Sequence, residues 1–183
     1  MSILLSHSFP ISSYDWESNG VEKPVLDPCC GSEMFYCRKK HAKVMRIDVR
    51  EGVYPYDLRH NRNPCVVSPD VVGDFTAIPF PDETFYHVVF DPPHLLRCGE
   101  RSWLAKKYGK LPKAWAPFLR AGFDECWRVL KVYGTLIFKW CAEDIRVSEI
   151  TKAIGRKDLY GQRNGRKTNT HWLVFIKFPE EVH

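Results

Sequence analysis

Six short apolar, β-rich runs punctuate the chain: Pro24–Asp27, Val44–Asp48, Asp70–Asp74, His87–Asp91, Thr135–Trp140 and His171–Phe178. They are near-continuous rather than alternating. That pattern suits strands buried on both faces, as in a parallel sheet covered by helices. The first four runs each end on an aspartate. Ala114–Leu130 predicts a helix, because Trp115, Phe118, Leu119, Gly122, Phe123, Cys126, Trp127 and Leu130 recur at spacings of three and four on one face. Ser32–Lys40 and Ile145–Ile154 are read as two further helices. Arg50–Asn63 and Leu95–Lys113 hold too many helix breakers to be read so. Strand alternating with helix means an α/β layered domain. No internal repeat appears. Residues 1–20 are polar and read as an N-terminal arm, ahead of a single domain over 21–183.

The length of 183 residues suits one domain with its own core. Aromatic residues reach 14%, more than a small core needs, so some are expected to line a site. The seven cysteines are odd in number and include no Cys-x-x-Cys pair, which argues against a disulfide framework and against a zinc site; no metal is expected. Reduced thiols suit a cytoplasmic location. No apolar run approaches the roughly 20 residues of a membrane span, and none has the flanks of a signal peptide. The expectation is a soluble, cytoplasmic protein without a membrane partner.

The first aspartate-ended run continues as Asp27-Pro28-Cys29-Cys30-Gly31-Ser32, a tight turn out of a buried strand. In a doubly wound fold, ligands sit beyond the carboxyl ends of the strands, where strand order reverses. Gly31 lets a ligand approach the backbone closely. Asp48 ends the next strand roughly 20 residues further on, where nucleoside-binding folds place the acid that takes the ribose hydroxyls. Asp74-Phe75, after the third run, could bond an adenine amino group and pack on its ring. The Gly-x-Gly-x-x-Gly fingerprint and the Gly-Lys-Ser/Thr phosphate loop are both missing, so a tightly held phosphate is not expected.

The fourth run delivers Asp91-Pro92-Pro93-His94 to the same edge. Two prolines stiffen the loop and delay any helix. The Asp91 carboxylate and the Pro92 carbonyl are two acceptors able to hold both hydrogens of a planar NH2 group. So held, its nitrogen is aimed at an electrophile, while a ring at position 94 stacks on the attached base. This is orienting and electrostatic catalysis with no covalent intermediate. Lys139, Trp140, His171 and Trp172 are read as strand-end packing.

Together these residues resemble the class I S-adenosylmethionine-dependent methyltransferases. Asp27-Pro28-Cys29-Cys30-Gly31 is similar to that family's cofactor loop, Asp48 to its ribose-binding acid, and Asp74-Phe75 to its adenine-contacting pair. Asp91-Pro92-Pro93-His94 resembles the Asp-Pro-Pro-aromatic motif of amino-group methyltransferases acting on nucleic-acid bases, the adenine-N6 type above all. Arg128–Ile137 resembles the family's turn into the fifth strand. The resemblance covers about residues 24–140 and implies a Rossmann-like, doubly wound, mostly parallel seven-stranded sheet with helices on both faces. It implies S-adenosylmethionine as cofactor and methyl transfer to an exocyclic amino group in DNA or RNA. Guanine N2, a protein or small-molecule amine, or a catalytically silent cofactor-binding subunit of a heteromer are the alternatives. His94 stands where Tyr, Phe or Trp is commoner. A separate target-recognition domain does not fit this length, which implies low sequence specificity or a protein partner that supplies recognition.

The excess of 27 Lys and Arg over 22 Asp and Glu is mild, but it is clustered. Arg97, Arg101, Lys106, Lys107, Lys110 and Lys113 follow the Asp-Pro-Pro loop, interleaved with Trp103, Tyr108 and Trp115. Arg156, Lys157, Arg163, Arg166 and Lys167 form a second group in a glycine-bearing stretch read as a flexible loop. Basic residues neutralise phosphates and aromatic rings stack on bases, so Arg97 to Lys113 and Arg163 to Lys167 are the expected nucleic-acid contacts. A base in a duplex would have to be flipped out to reach such a site.

Overall fold

A computed structural model describes residues 23–54, 64–99, 102–163 and 169–179, with the backbone alone at 162 and 163. The expected N-terminal arm, residues 1–20, lies outside the described residues. In chain order the elements are β1 (Val25–Asp27), β2 (Val44–Asp48), β3 (Gly52–Tyr54), β4 (Cys65–Val67), β5 (Val71–Val72), β6 (Phe85–Phe90), α1 (Trp103–Tyr108), α2 (Trp115–Val129), β7 (Leu130–Cys141), α3 (Val147–Ile154), β8 (Tyr160–Arg163) and β9 (Thr170–Ile176).

Seven strands form one sheet in the order β5-β2-β1-β6-β7-β9-β8. The first five run parallel, and β9 and β8 are antiparallel to their neighbours. This is a Rossmann-like, doubly wound arrangement. The chain moves outward from β1 through β2 to β5, then returns to the other side of β1 with β6. That reversal opens a crevice at the carboxyl ends of β1 and β6. β3 and β4 make a separate antiparallel hairpin.

The core sits between this sheet and α2. Leu119, Gly122, Phe123, Cys126 and Val129 are the buried stripe of α2. The Phe123 ring meets Phe138 of β7 and Phe175 of β9 edge-on at 6.2 and 5.1 Å. α3 packs against α2 and buries Ile150 and Ile154. Residues of alternate parity on β6 and β7, among them Val89, Ile137 and Lys139, are only half-buried. Among the described residues no helix is long and apolar enough to cross a membrane.

Gly122 lets α2 lie this close. A Cβ there would stand 2.4 and 2.6 Å from the Phe75 ring and 3.0 Å from Phe90. Alanine would add roughly 1 kcal/mol of helix propensity. Overpacking of this kind costs typically 1–3 kcal/mol, and this overlap is severe. Gly122→Ala is therefore expected to lower stability in urea unfolding. A more stable variant would show that Phe75 gives way freely.

Three sequence expectations are corrected. Ser32–Lys40 forms turns, not a helix. Glu33 and Lys40 have φ of +54° and +51°, and the Glu33 carboxylate accepts the Lys40 N–H at 2.6 Å, closing the segment on itself. Its second half, Cys37 to Lys40, is exposed and offers no apolar stripe. Within Leu95–Lys113 a short helix does form: α1 starts at Ser102, whose hydroxyl accepts the Leu104 N–H at 3.2 Å, and stops at Gly109. The supposed loop after Arg156 contains β8, an edge strand paired to β9.

A buried charge network ties the outer strands together. The Arg46 guanidinium on β2 donates to Asp70 at 2.7 and 3.0 Å and to Glu33 at 3.2 Å. Lys23 joins Asp70 at 3.0 Å.

Candidate active site

β1 and β2 end in Asp27 and Asp48, and Asp91 follows β6, so three carboxylates reach the same carboxyl edge. Beside them lies a cavity of about 220 Å³. Pro28, Cys29, Asp48, Asp74, Phe75 and Asp91 line it, with Phe118 of α2. Across from them stand Pro93, Tyr108, Gly109 and Lys110, which bring the end of α1 against the site.

The remaining residues expected here hold the wall without lining the cavity. Asp27 is fully buried and accepts the Cys29 N–H at 3.2 Å and the Tyr36 hydroxyl at 2.8 Å. It is a scaffold for the loop, not an open ligand contact. Cys30 is buried, and Gly31, at φ +50°, donates its N–H to Asp48 at 2.9 Å. Pro92 is buried behind Pro93. The His94 ring faces Tyr108 at 5.5 Å and the edge of Trp140 at 6.4 Å. Burial lowers its pKa from the ordinary value and favours the neutral ring. Asp144 fastens the loop by accepting the Leu96 and Arg97 N–H groups at 2.7 and 3.1 Å.

Burial raises the Asp27 carboxyl from 3.8 to about 7, against the opposing bonds from Tyr36 and Cys29; Asp91 and Asp48 push it the same way as burial. The folded state thus holds this proton more tightly than the unfolded chain. The associated stability is complete below about pH 4 and is lost as pH rises through about 7. Asp27→Asn cannot ionise, so its melting temperature is expected to decline less than that of the wild type between pH 5 and 8. Parallel declines in thermal unfolding would place the titration elsewhere.

Two residues that sequence reasoning passed over complete the site. Arg50 engages both oxygens of Asp48: its Nε lies 3.0 Å from Oδ1 and its Nη2 3.3 Å from Oδ2. The Arg50 N–H adds a bond of 2.9 Å, and its Nη1 reaches the Lys106 carbonyl of α1 at 3.0 Å. The available signal was the two-residue spacing, which suits a side chain folding back on a strand-end acid. Lys139 places Nζ 2.5 Å from Asp91 Oδ2. Here the signal was register: Phe90 pairs Phe138, so Asp91 abuts Lys139. Trp172, opposite Lys139 on β9, also belongs to this cluster. Trp140 is core, its indole N–H donating to the Ile145 carbonyl at 2.9 Å. Burial raises the Asp91 carboxyl above its ordinary value, and Lys139 pulls it partly back.

Of the first basic cluster, Arg97, Lys106, Lys110 and Lys113 are exposed. Lys107 lies over the Tyr108 ring at 4.7 Å and the Trp103 ring at 5.8 Å. Arg163 ends β8 opposite His171, at the same carboxyl edge. Arg101, Arg166 and Lys167 lie outside the described residues. All seven cysteines are free thiols.

The sequence matches no protein-family model, and no curated protein is matched. Among solved structures, the fold is similar to the PH0226 protein from Pyrococcus horikoshii, with 16% identity, a TM-score of 0.52, and 84% of this chain and 81% of that chain covered. An rRNA methylase from Streptococcus thermophilus aligns at 11% identity and a TM-score of 0.48, over 87% of this chain and 89% of its own. A SAM-dependent methyltransferase from Aquifex aeolicus aligns at 17% and 0.43, over 85% and 83%.

Proposed function

We propose that this protein transfers a methyl group from S-adenosylmethionine to the exocyclic amino group of a nucleic-acid base, adenine N6 first among them. The observation that carries the reading is Asp91-Pro92-Pro93 at the switch point of the sheet, with Asp91 and Pro93 facing a cavity that Asp48, Asp74 and Phe75 also line. The donor set suits the cofactor: carboxylates for hydroxyl and amino groups, Phe75 and Phe118 rings for a base, and an acidic edge for a cation. Asp48 can take ribose hydroxyls when the Arg50 fork turns aside. Bound there, the cofactor supplies an electrophilic methyl group on a sulfonium.

The chain's own residues then orient the acceptor. Asp91 accepts an amino hydrogen at the cavity, and the prolines keep that loop fixed before the acceptor arrives. α1 and its lysines lie beside the cavity, where phosphates flanking a flipped or single-stranded base would run.

The test is transfer of labelled methyl from S-adenosylmethionine to duplex DNA, RNA and single-stranded oligonucleotides in parallel, with calorimetry of cofactor binding. Mass spectrometry of the digest would identify N6-methyladenine; methyl on guanine N2 would move the assignment to that base. Cofactor binding with no transfer to any acceptor would favour the silent subunit. Replacing Lys106, Lys107 and Lys110 with Glu is expected to weaken nucleic-acid binding and flatten its log–log salt dependence. An unmoved slope would make the cluster a solvated face.

A further inference from the structure

Asp91 stands between two groups of residues. On one side is the cavity just described. On the other, the Lys139 ammonium contacts Asp91 and lies over the rings of Phe35 at 5.3 Å and Trp172 at 5.9 Å. Phe35 meets Trp172 edge-on at 5.9 Å and stacks on Tyr36 at 4.9 Å. Tyr36 is in turn bonded to Asp27. The turn at 33–40, a consequence of Glu33 bonding back to Lys40, is what aims these rings at the sheet edge. The pair is not sealed: Lys139 and Asp91 side chains are 23% and 21% exposed.

We propose that Asp91 and Lys139 together read an amidine edge, an amino group with an unprotonated ring nitrogen beside it, next to the Phe35 and Trp172 rings. The inference rests on the methyl-transfer reading above and narrows its acceptor. An ionised Asp91 only accepts, and the Lys139 ammonium only donates, with three N–H bonds to give. One of these holds Asp91. Two more remain on an ammonium that is partly exposed beside the Asp91 carboxylate. The complement of an acceptor next to a donor is a donor next to an acceptor. Adenine presents this as N6–H2 with N1, cytosine as N4–H2 with N3, and guanine as N2–H2 with N3. An aliphatic amine presents only donors and a positive charge, which Lys139 repels. Phe35 and Trp172 beside the ammonium add aromatic surface against which a planar ring can pack.

This assigns Lys139 a specificity role, distinct from merely keeping Asp91 ionised. The two are separated by an oligonucleotide in which 1-deazaadenine replaces adenine. That base keeps the amino group but carries C–H in place of N1. The wild type is expected to methylate adenine about 10- to 100-fold faster in kcat/KM than 1-deazaadenine, because a hydrogen bond from the charged Lys139 is lost. Lys139→Met is expected to slow adenine and to erase most of that ratio. Equal wild-type rates on the two bases would overturn the inference while the methyl-transfer reading stands. A ratio that persists in Lys139→Met would overturn it too, by moving N1 recognition to another group. Transfer to neither adenine nor cytosine, with transfer to an aliphatic amine, would overturn it directly. Transfer to no acceptor at all would overturn the reading beneath it. The wild-type comparison needs no variant to fold.

Discussion

Asp91→Ala is expected to lower single-turnover methyl transfer by on the order of 10²–10³, the usual cost of losing one preorganised polar contact at a reacting centre. Folding and cofactor binding should survive. Burial works against the carboxylate, so its removal relieves a desolvation cost. Lys139, 23% exposed, turns to water once unpaired. The prolines that shape the loop remain. Asp91→Asn keeps one oxygen and should fall between wild type and Ala. Saturating S-adenosylmethionine should still raise the melting temperature of both variants. Normal turnover by Asp91→Ala would remove this residue from the chemistry. A variant that no longer binds cofactor would show that Asp91 holds the cavity together.

The largest effect on stability is expected at Arg46. Its side chain and that of Glu33 are each 8% exposed, and Asp70 is 21% exposed. Removing one partner from a buried ion pair leaves uncompensated charge and costs roughly 3–5 kcal/mol. Arg46→Ala would strand Glu33 and loosen the turn at 33–40, along with the approach to β5. Urea unfolding would read the loss as a lower midpoint at an unchanged slope. The double variant Arg46→Met with Glu33→Gln should recover part of it, because the stranded carboxylate is then gone. A loss below 1 kcal/mol in Arg46→Ala would mean that water already reaches the network.

The strands were legible because their physics is local. Apolar runs ending in Asp at positions 27, 48 and 91 are what parallel strands look like when their carboxyl ends meet a crevice. The doubly wound sheet was implied by the family resemblance, and α2 was legible from its own periodicity. What escaped was decided by partners far away in the chain. Ser32–Lys40 contains no proline or glycine to break a helix, yet the Glu33 carboxylate is committed to Arg46 and to Lys40 N–H. The Asp48 carboxylate was legible as a strand-end acid, but its engagement by Arg50 was not. Lys139 looked like packing because its role depends on the register between β6 and β7, which no single run encodes. Asp27 was read as open to a ligand, whereas Tyr36 closes it.

Arg50 and Lys139 share one electrostatic consequence. Three acidic side chains crowd a single sheet edge, and the chain supplies two cations of its own to meet them, one at Asp48 and one at Asp91. A positively charged ligand arriving there does not simply fill a negative well. It performs an ion exchange, taking over carboxylate lone pairs that a guanidinium or an ammonium held before. At Asp48 that exchange has a mechanical side, because the same guanidinium also grips the Lys106 carbonyl of α1. One guanidinium therefore serves both the acid at the end of β2 and the backbone of the basic helix.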